Sequence, residues 1–177
     1  MNFYGRRFNL YFSLLTALTL VSGCALLNIK EKQTAALRIH IENGASVPGA
    51  SEIIPVMRTA PVMVNIATEP ILTEANIAAA ALVERPGGFA VEIKFDQSGC
   101  WTLEQYSAAN PGKHLAIFGQ WGEKLENGRW LAAPSINRRM AGGTLAFTPD
   151  ASRSETEELV KGLNLTAKHL NARKMKQ

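Results

Sequence analysis

The segment FAVEIKFDQSGCWTLEQYSAANPGKHLAIFGQ, residues 89–120, changes its hydrophobic period twice and thereby indicates the fold. Residues 89–96 alternate apolar and polar side chains, which is typical of a strand with one face on a core. Residues 98–110 follow helical spacing, with Ser98 placed to cap the first turn. A Pro-Gly pair ends this helix, and the apolar run at 114–118 predicts a second strand. These two strands can pair only if the helix crosses over between them, so we expect a sheet with helices on one face.

Shorter patterns predict the strands on either side of this unit. Prolines at positions 55 and 61 indicate edge positions, because proline cannot donate to a strand ladder. Between the last two strands lies an expected turn at Gly142 and Gly143. The predicted strands are residues 36–42, 53–57, 61–67, 129–136 and 143–148.

Residues 73–88 admit two interpretations. Thr73 can cap one helical turn that ends near Ile77. The following AAAALVE, residues 78–84, fits a strand that enters a hairpin through Pro-Gly-Gly. The alternative is an alanine-rich helix that continues to Glu84, because alanine has the highest helix propensity.

The last part of the chain predicts a polar loop and a long helix. The loop spans residues 120–128, and the helix begins at Ser154 with Glu157 as its capping-box partner. Basic residues at its end suit the helix dipole, and contact with anionic lipid is the alternative. Together the patterns predict an α+β fold. We expect a single domain with an antiparallel or mixed sheet and two main helices packed on one face.

The first residues resemble the signal peptide of a bacterial lipoprotein. Arg6 and Arg7 precede an uncharged apolar run at residues 10–21, which is shorter than the roughly 20 residues of a membrane-spanning helix. Val-Ser-Gly-Cys at residues 21–24 resembles a lipobox, which predicts acylation of Cys24. The expected divisions are residues 1–23 for the signal peptide, 24–36 for the lipidated N-terminus and linker, 37–172 for the domain, and 173–177 for a basic tail.

Charge and location follow from this N-terminus. Loss of Arg6 and Arg7 removes two of the +4 formal charges, so the basic balance gives no reason to expect nucleic acid as a partner. We expect a protein tethered to the bilayer through Cys24 and facing the periplasm. Ala25 after the cysteine slightly favours the outer over the inner membrane.

Residues suited to catalysis or metal binding do not form a recognisable pattern. His40, His114 and His169 are distributed over two strands and a helix, without cysteine or carboxylate at metal-ligand spacing. Solvent-facing histidines are expected, and the alternative is that His40 faces His114. Asp96 and Asp150 both fit helix caps. We therefore predict no enzyme activity, no metal and no cofactor.

Cys100 and the tryptophans complete the candidate residues. With Cys24 lipidated, Cys100 has no disulfide partner, and its place beside Leu103 predicts a buried, unreactive thiol. Trp101 points away from that helix face and Trp121 lies in the predicted polar loop, so both are candidates for partner binding. The alternative is that each tryptophan folds back over an apolar gap. Trp130 is expected in a strand and in the core.

These patterns, taken in order, resemble the head of the first large periplasmic domain of SecD, an accessory subunit of the Sec protein-export machinery. The resemblance covers roughly residues 37–170, and its order and spacing are more specific than any single motif. The matching residues are Glu69–Thr73 with Ile77, then Phe95, Gly99, Leu103, Ser107, Asn110, Gly112, Lys113 and Leu115–Ile117, then Asn127–Arg129, Ala133, Pro134, Gly142 and Gly143.

The resemblance implies the fold of that head and a role in binding emerging polypeptide. SecD also has six transmembrane helices and charged membrane residues that couple proton flow to export. No part of this sequence matches them, so we expect no proton-driven motor. Residues 120–126 are extra relative to the family's tight hairpin, which leaves Trp121 without a counterpart.

Two functions follow as hypotheses. The first is a membrane-anchored envelope lipoprotein with a SecD head-like polypeptide-binding module, accessory to protein export. The second is a structural or regulatory lipoprotein that binds one dedicated, folded envelope partner. The expected partners are the lipid bilayer and exported or envelope proteins.

Overall fold

A computed structural model of the 177-residue chain describes residues 35–44 and 49–174. These residues fall within one compact unit, residues 32–177. The predicted signal peptide, Cys24 and the linker before residue 35 lie outside the described residues, as do residues 175–177 at the end of the basic tail.

Within the described residues the chain forms nine strands, two helices and one 3₁₀ turn. The strands are β1 (Ala36–Ile41), β2 (Ser51–Val56), β3 (Val62–Ala67), β4 (Leu72–Thr73), β5 (Ile77–Arg85), β6 (Gly88–Phe95), β7 (Leu115–Trp121), β8 (Asn127–Ala132) and β9 (Thr144–Phe147). The helices are α1 (Gln97–Ala109) and α2 (Arg153–Lys174), and the 3₁₀ turn is Glu74–Asn76.

The strands form antiparallel sheets with the orders β4-β1-β7-β8, β5-β6-β9 and β2-β3. The predicted α+β class is confirmed. The predicted pairing of the two strands that flank α1 is wrong, because β6 and β7 belong to different sheets. The reason is that β5 and β9 occupy both edges of β6, while β7 lies between β1 and β8. Helix α1 therefore carries the chain from one sheet to the other.

The hairpin interpretation of residues 78–95 is confirmed, and the alanine-rich helix is wrong. β5 and β6 pair from Ile77↔Phe95 to Arg85↔Gly88, with one irregularity near Ala79. Gly87 has φ +84° in the turn, a conformation that glycine adopts without a Cβ penalty. A local turn and two adjacent apolar runs thus outweigh the helix propensity of alanine.

The helix caps were predicted in part. Thr73 caps the 3₁₀ turn as expected, since its hydroxyl accepts a hydrogen bond from the Ala75 N–H. Helix α1 is capped by Asp96 and not by Ser98: the Asp96 carboxylate accepts from the Gly99 N–H at 2.8 Å. The capping box of α2 is Ser152 with Glu155, two residues before the predicted Ser154.

The sheet β4-β1-β7-β8 separates two apolar clusters. Alternate residues of β1 and β7, such as Ile39 and Ile117, enter the main core. That core also contains Ile93 and Phe147 from the sheet β5-β6-β9, and buried leucines of α2. Ala116 lies in the second, smaller cluster, which the β2–β3 hairpin covers. The members of the smaller cluster are Ile54, Val56, Val64, Ile66 and Ala116, with Trp130 and Ala133 packed against them.

Candidate functional site

The large hydrophobic side chains that remain exposed lie on only two elements of the described structure. Helix α1 carries Trp101 and Tyr106. The β2–β3 hairpin carries the other four, each more than half exposed. We call these four the hairpin surface: Ile53, Met57, Val62 and Met63.

The hairpin surface results from strands that are apolar on both faces. Ile54 and Val64 point into the small core, so Ile53 and Met63 on the alternate positions point outward. Met57, at the start of the turn, has φ 71°, a left-handed conformation that is unfavourable for a side chain with a Cβ. This surface was not among the predicted sites. The available signal was the near-continuous apolar runs IIPVM and PVMV, which lack the polar alternation of a strand with one solvated face.

An ion pair ties the tip of the hairpin to the segment before α2. The Arg58 main-chain N–H donates to the Asp150 carboxylate at 2.8 Å, and the Arg58 Nε lies 3.2 Å from the same oxygen. Asp150 is itself held by its N–H, which donates to the Leu131 carbonyl at 2.7 Å. The expected capping role of Asp150 is therefore wrong: this carboxylate fixes the hairpin, and Ser152 caps the helix.

Trp101 lies on the exposed side of α1, as predicted. Its side chain is 65% exposed and borders a shallow depression of about 240 Å³. Glu104 and Arg139 form an ion pair at this depression. An indole beside a charged pair can pack against apolar side chains and donate a hydrogen bond. Binding of a partner at Trp101 remains a prediction.

Trp121 is not exposed, and this prediction is wrong. It is the last residue of β7, is 1% exposed and belongs to the main core. β7 is longer than predicted and pairs Trp121 with Asn127, so the connecting loop is only residues 122–126. The Arg129 guanidinium lies 5.0 Å from the centre of the indole ring and also pairs with Glu155. This tryptophan cannot contact a partner without unfolding.

His40 is also buried, in contrast to the solvent-facing position predicted for it. Its ring Nδ1–H donates to the Ala67 carbonyl at 2.9 Å, and its edge packs on Trp130, which is half-buried in β8 as part of the small core. Burial lowers the pKa of His40, and the hydrogen bond to Ala67 only partly offsets this effect. The two histidines do not face each other, since His40 pairs with Ala116.

His114 instead contacts Glu42. Its Nδ1 lies 2.7 Å from the Glu42 carboxylate, which also accepts the His114 main-chain N–H at 2.9 Å. Burial raises the pKa of Glu42, but the hydrogen bonds from His114 outweigh it and the net pKa is lowered. This pair joins the end of β1 to the start of β7.

Cys100 is only half-buried, so the predicted burial of its thiol is wrong, although the neighbouring Leu103 is fully buried. Its sulfur lies 3.6 Å from the Ala141 carbonyl oxygen. Gly143 has φ +62°, and a Cβ there would lie 2.9 Å from that sulfur, so glycine is required at this position. Cys100 thus packs α1 against the turn before β9.

Neither a metal cluster nor a membrane helix occurs in the described part of the chain. No three His, Cys, Asp or Glu side chains in residues 35–44 and 49–174 are placed to hold a metal ion. No helix in these ranges is both long and apolar enough to cross a membrane.

A family model described as the SecDF P1 head subdomain matches residues 51–169. The chain belongs to this family. The matched residues run from β2 into α2, so the P1 head includes both the hairpin surface and Trp101.

Two solved structures share the P1 head fold. One, described as a membrane component SecDF that enhances protein export, is 22% identical with a TM-score of 0.52. The other, SecDF in a super-membrane-facing form, is 22% identical with a TM-score of 0.53. Each match covers 77% of this chain, but the chain spans only 66% and 20% of the two matched chains. No curated protein matches the chain.

Proposed function

We propose that this P1 head protein binds polypeptides during protein export, as a lipoprotein of the bacterial cell envelope. The observation that carries the proposal is the hairpin surface, where four large apolar side chains of one hairpin are each more than half exposed. Contiguous apolar surface on a folded domain is typical of an interaction site. Membership of the P1 head family and the described role of a similar SecDF in enhancing protein export support the link to export.

The chemistry of the hairpin surface suits unfolded polypeptides better than one fixed partner. Met57 and Met63 have flexible, polarizable side chains that adapt to different shapes, a property of binding surfaces with broad specificity. Charges within the hairpin are few: Glu52 lies on β2, and Arg58 is held by Asp150. Binding by apolar burial alone requires no particular sequence in the bound chain.

Trp101 provides a second contact site on a different element. Exposed tryptophan is enriched among the residues that dominate binding energy at protein interfaces. Its position on the rigid helix α1 reduces the entropy lost when a partner binds. We therefore retain Trp101 as a polypeptide-binding residue and replace Trp121 with the hairpin surface.

The anchor places these surfaces near a membrane. Acylated Cys24 holds the N-terminus at the bilayer, and the eleven-residue step from Cys24 to Ala35 reaches at most about 40 Å. Ala35, where the described domain begins, then lies within that distance of the membrane, and the domain operates in the periplasm with the outer membrane favoured. Cys24→Ala tests the anchor: the variant is expected to lose incorporation of labelled fatty acid and to leave the membrane fraction.

Site-specific photocrosslinking in cells tests polypeptide binding. A photoreactive residue at position 63 or 101 should crosslink to many different exported precursors. Lys161 is the matched control, because it is exposed and polar on α2. Crosslinks from positions 63 and 101 to a single folded envelope protein would refute the proposal and establish the dedicated-partner function.

A further inference from the structure

Strand β9 has a free edge. It is the last strand of the sheet β5-β6-β9, and no other strand in the described part of the chain pairs with its outer side. An unpaired strand edge presents a row of main-chain donors and acceptors that can pair with another chain.

The register shows which main-chain groups face outward. The Gly143 carbonyl accepts from the Phe95 N–H at 2.9 Å, and Ile93 pairs with Leu145. Because antiparallel hydrogen bonding alternates along a strand, Leu145 and Phe147 bond to β6, while the main-chain groups of Thr144 and Ala146 point away from it. The side chains of Thr144 and Ala146 are also exposed, so they leave the outer edge accessible.

A groove of about 570 Å³ adjoins this edge. Thr144, Leu145 and Ala146 form one side, and the segment 134–142 forms the other. This volume lies in the range of clefts that hold a drug-sized ligand, so the groove can accept a few side chains of a bound peptide. The groove therefore offers both a concave surface and unpaired main-chain groups.

The groove is positively charged. Arg138 and Arg139 line it, and no acidic side chain is among its lining residues. Arg139 pairs with Glu104 and also borders the depression beside Trp101, so the groove and the Trp101 site are neighbours. On the adjacent strand β6, Lys94 and Glu92 lie opposite Thr144 and Ala146 and balance each other. Because Glu104 already neutralises Arg139, the net charge facing an added chain comes from Arg138.

We propose that an acidic, extended segment of a bound polypeptide adds to the free edge of β9 as a further strand. Its main-chain groups pair with those of Thr144 and Ala146, and a carboxylate contacts Arg138. This inference rests on the proposed function of polypeptide binding and specifies the mode of recognition. Strand addition accepts many sequences, because affinity comes from the main chain and selectivity from a few side chains.

Peptide binding to the full-length chain, purified in detergent, tests the inference. The probe is a fluorescent peptide of alternating valine and glutamate, measured by anisotropy. We expect it to bind, to protect the Thr144 and Ala146 amides from hydrogen exchange, and to bind about tenfold more weakly to Arg138→Glu. Arg85→Glu makes the same charge change at the exposed β5–β6 turn and should leave binding unchanged.

Two altered peptides separate the parts of the inference without changing the protein. A peptide N-methylated at successive central amides should lose binding, because it cannot donate to β9. A lysine counterpart should bind at least tenfold more weakly, because it is repelled by Arg138. Equal binding of either peptide would overturn the inference.

The peptide-binding test of β9 can fail or succeed independently of crosslinking at the hairpin surface. If the glutamate peptide fails to bind while position 63 still crosslinks to exported precursors, the β9 inference is overturned and the proposed function stands. If both fail, polypeptide binding is itself refuted. Met63→Asp should reduce crosslinking to precursors and leave binding of the glutamate peptide intact.

Discussion

Trp101 and Trp121 show how burial decides the role of a side chain. The Trp101 indole lies in solvent, while the Trp121 indole contacts the core on one face and the Arg129 guanidinium on the other. Large aromatic side chains contribute to stability in proportion to the apolar area that they bury. Only Trp121 should therefore matter for folding.

Replacement of each tryptophan by alanine tests this difference. We expect Trp121→Ala to lower the free energy of unfolding by about 3–5 kcal/mol, because it leaves a large cavity in the main core. Trp101→Ala should change it by less than about 0.5 kcal/mol. Chemical denaturation monitored by circular dichroism measures both. Similar losses in the two variants would contradict the assigned burial.

His40 predicts a pH dependence of stability. Its pKa in the folded protein lies below the usual 6.5, chiefly because of burial and with a further contribution from the Arg38 charge, while the Ala67 carbonyl and Glu52 act in the opposite direction. Below about pH 6.5 the unfolded chain takes up a proton at this site before the folded chain does. The free energy of unfolding should therefore fall as the pH decreases from about 6.5 towards 5.

His40→Gln isolates this contribution. Glutamine can still donate to the Ala67 carbonyl but does not titrate, so the variant should lose the slope between about pH 6.5 and 5. Because the pKa of Glu42 is lowered, protonation of Glu42 changes the free energy of unfolding only in more acidic solutions. His169→Gln on the exposed side of α2 is the matched control. Urea unfolding at a series of pH values gives the measurement, and an unchanged slope in His40→Gln would refute the assignment.

At the scale of elements, one side chain of α2 makes the main-chain hydrogen bonds to β5 that a neighbouring strand would otherwise make. The Asn164 carboxamide accepts from the Ala80 N–H at 2.9 Å and donates to the Ala80 carbonyl at 2.8 Å. Thr166 makes a similar contact with the Ala35 carbonyl at 3.1 Å. These bonds satisfy main-chain groups just before β1 and on the outer edge of β5, which pairs only with β6 among the described strands.

Asn164→Ala should lower the free energy of unfolding by about 1–2 kcal/mol, because both Ala80 groups lose their partner. Asn171→Ala, at an exposed position of the same helix, should change it by less than about 0.5 kcal/mol. Thermal unfolding of both variants provides the comparison. An equal effect at the two positions would show that helix propensity, and not the bonds to Ala80, controls the result.

The sequence predicted elements more reliably than their pairing. Alternation and helical spacing located β1, the β5–β6 hairpin, α1 and β9, because each depends on residues close in sequence. The partners of β6 and β7 depend on residues far apart, and no local pattern records them. The cap of α2 illustrates a second limit: Ser152–Glu155 and Ser154–Glu157 both fit the capping-box spacing, so the motif alone could not choose.

For the whole molecule, the two apolar clusters differ in size and should differ in stability. The main core unites both larger sheets and α2, while the small cluster holds the β2–β3 hairpin through a few side chains. Local opening costs less where fewer apolar contacts are broken. The hairpin should therefore open without global unfolding.

Native-state hydrogen exchange measures this difference. We expect the amides of Val64 and Ile66 to exchange through local opening, faster than those of Ile39 and Ile117 in the central sheet. Val64→Ala should increase exchange in the hairpin and leave the central sheet protected. A single opening free energy for all four amides would show that the two clusters unfold together.

Whether a candidate surface is exposed depends on how the whole molecule packs. Trp101 could be predicted because the helical angle places it opposite Leu103. For the hairpin surface, the apolar runs indicated strands that are apolar on both faces, but not that one face is exposed, because Ile53 and Met63 are exposed only if no further layer covers β2 and β3. Sequence alone does not state how many layers a fold has.

The β2–β3 hairpin is inserted between two strands, β1 and β4, that pair with each other. β1 and β4, which precede and follow it, are already neighbours: Arg38 pairs with Thr73, and the Ile71 N–H donates to the Ile39 carbonyl at 2.8 Å. The chain thus leaves the central sheet after β1 and returns beside its point of departure. We therefore expect that the length and apolar content of the hairpin can change while β1 and β4 keep their pairing. Grafting hairpins between P1 heads would transfer binding preference without redesign of the main core, provided that the inward side chains of the small cluster are kept.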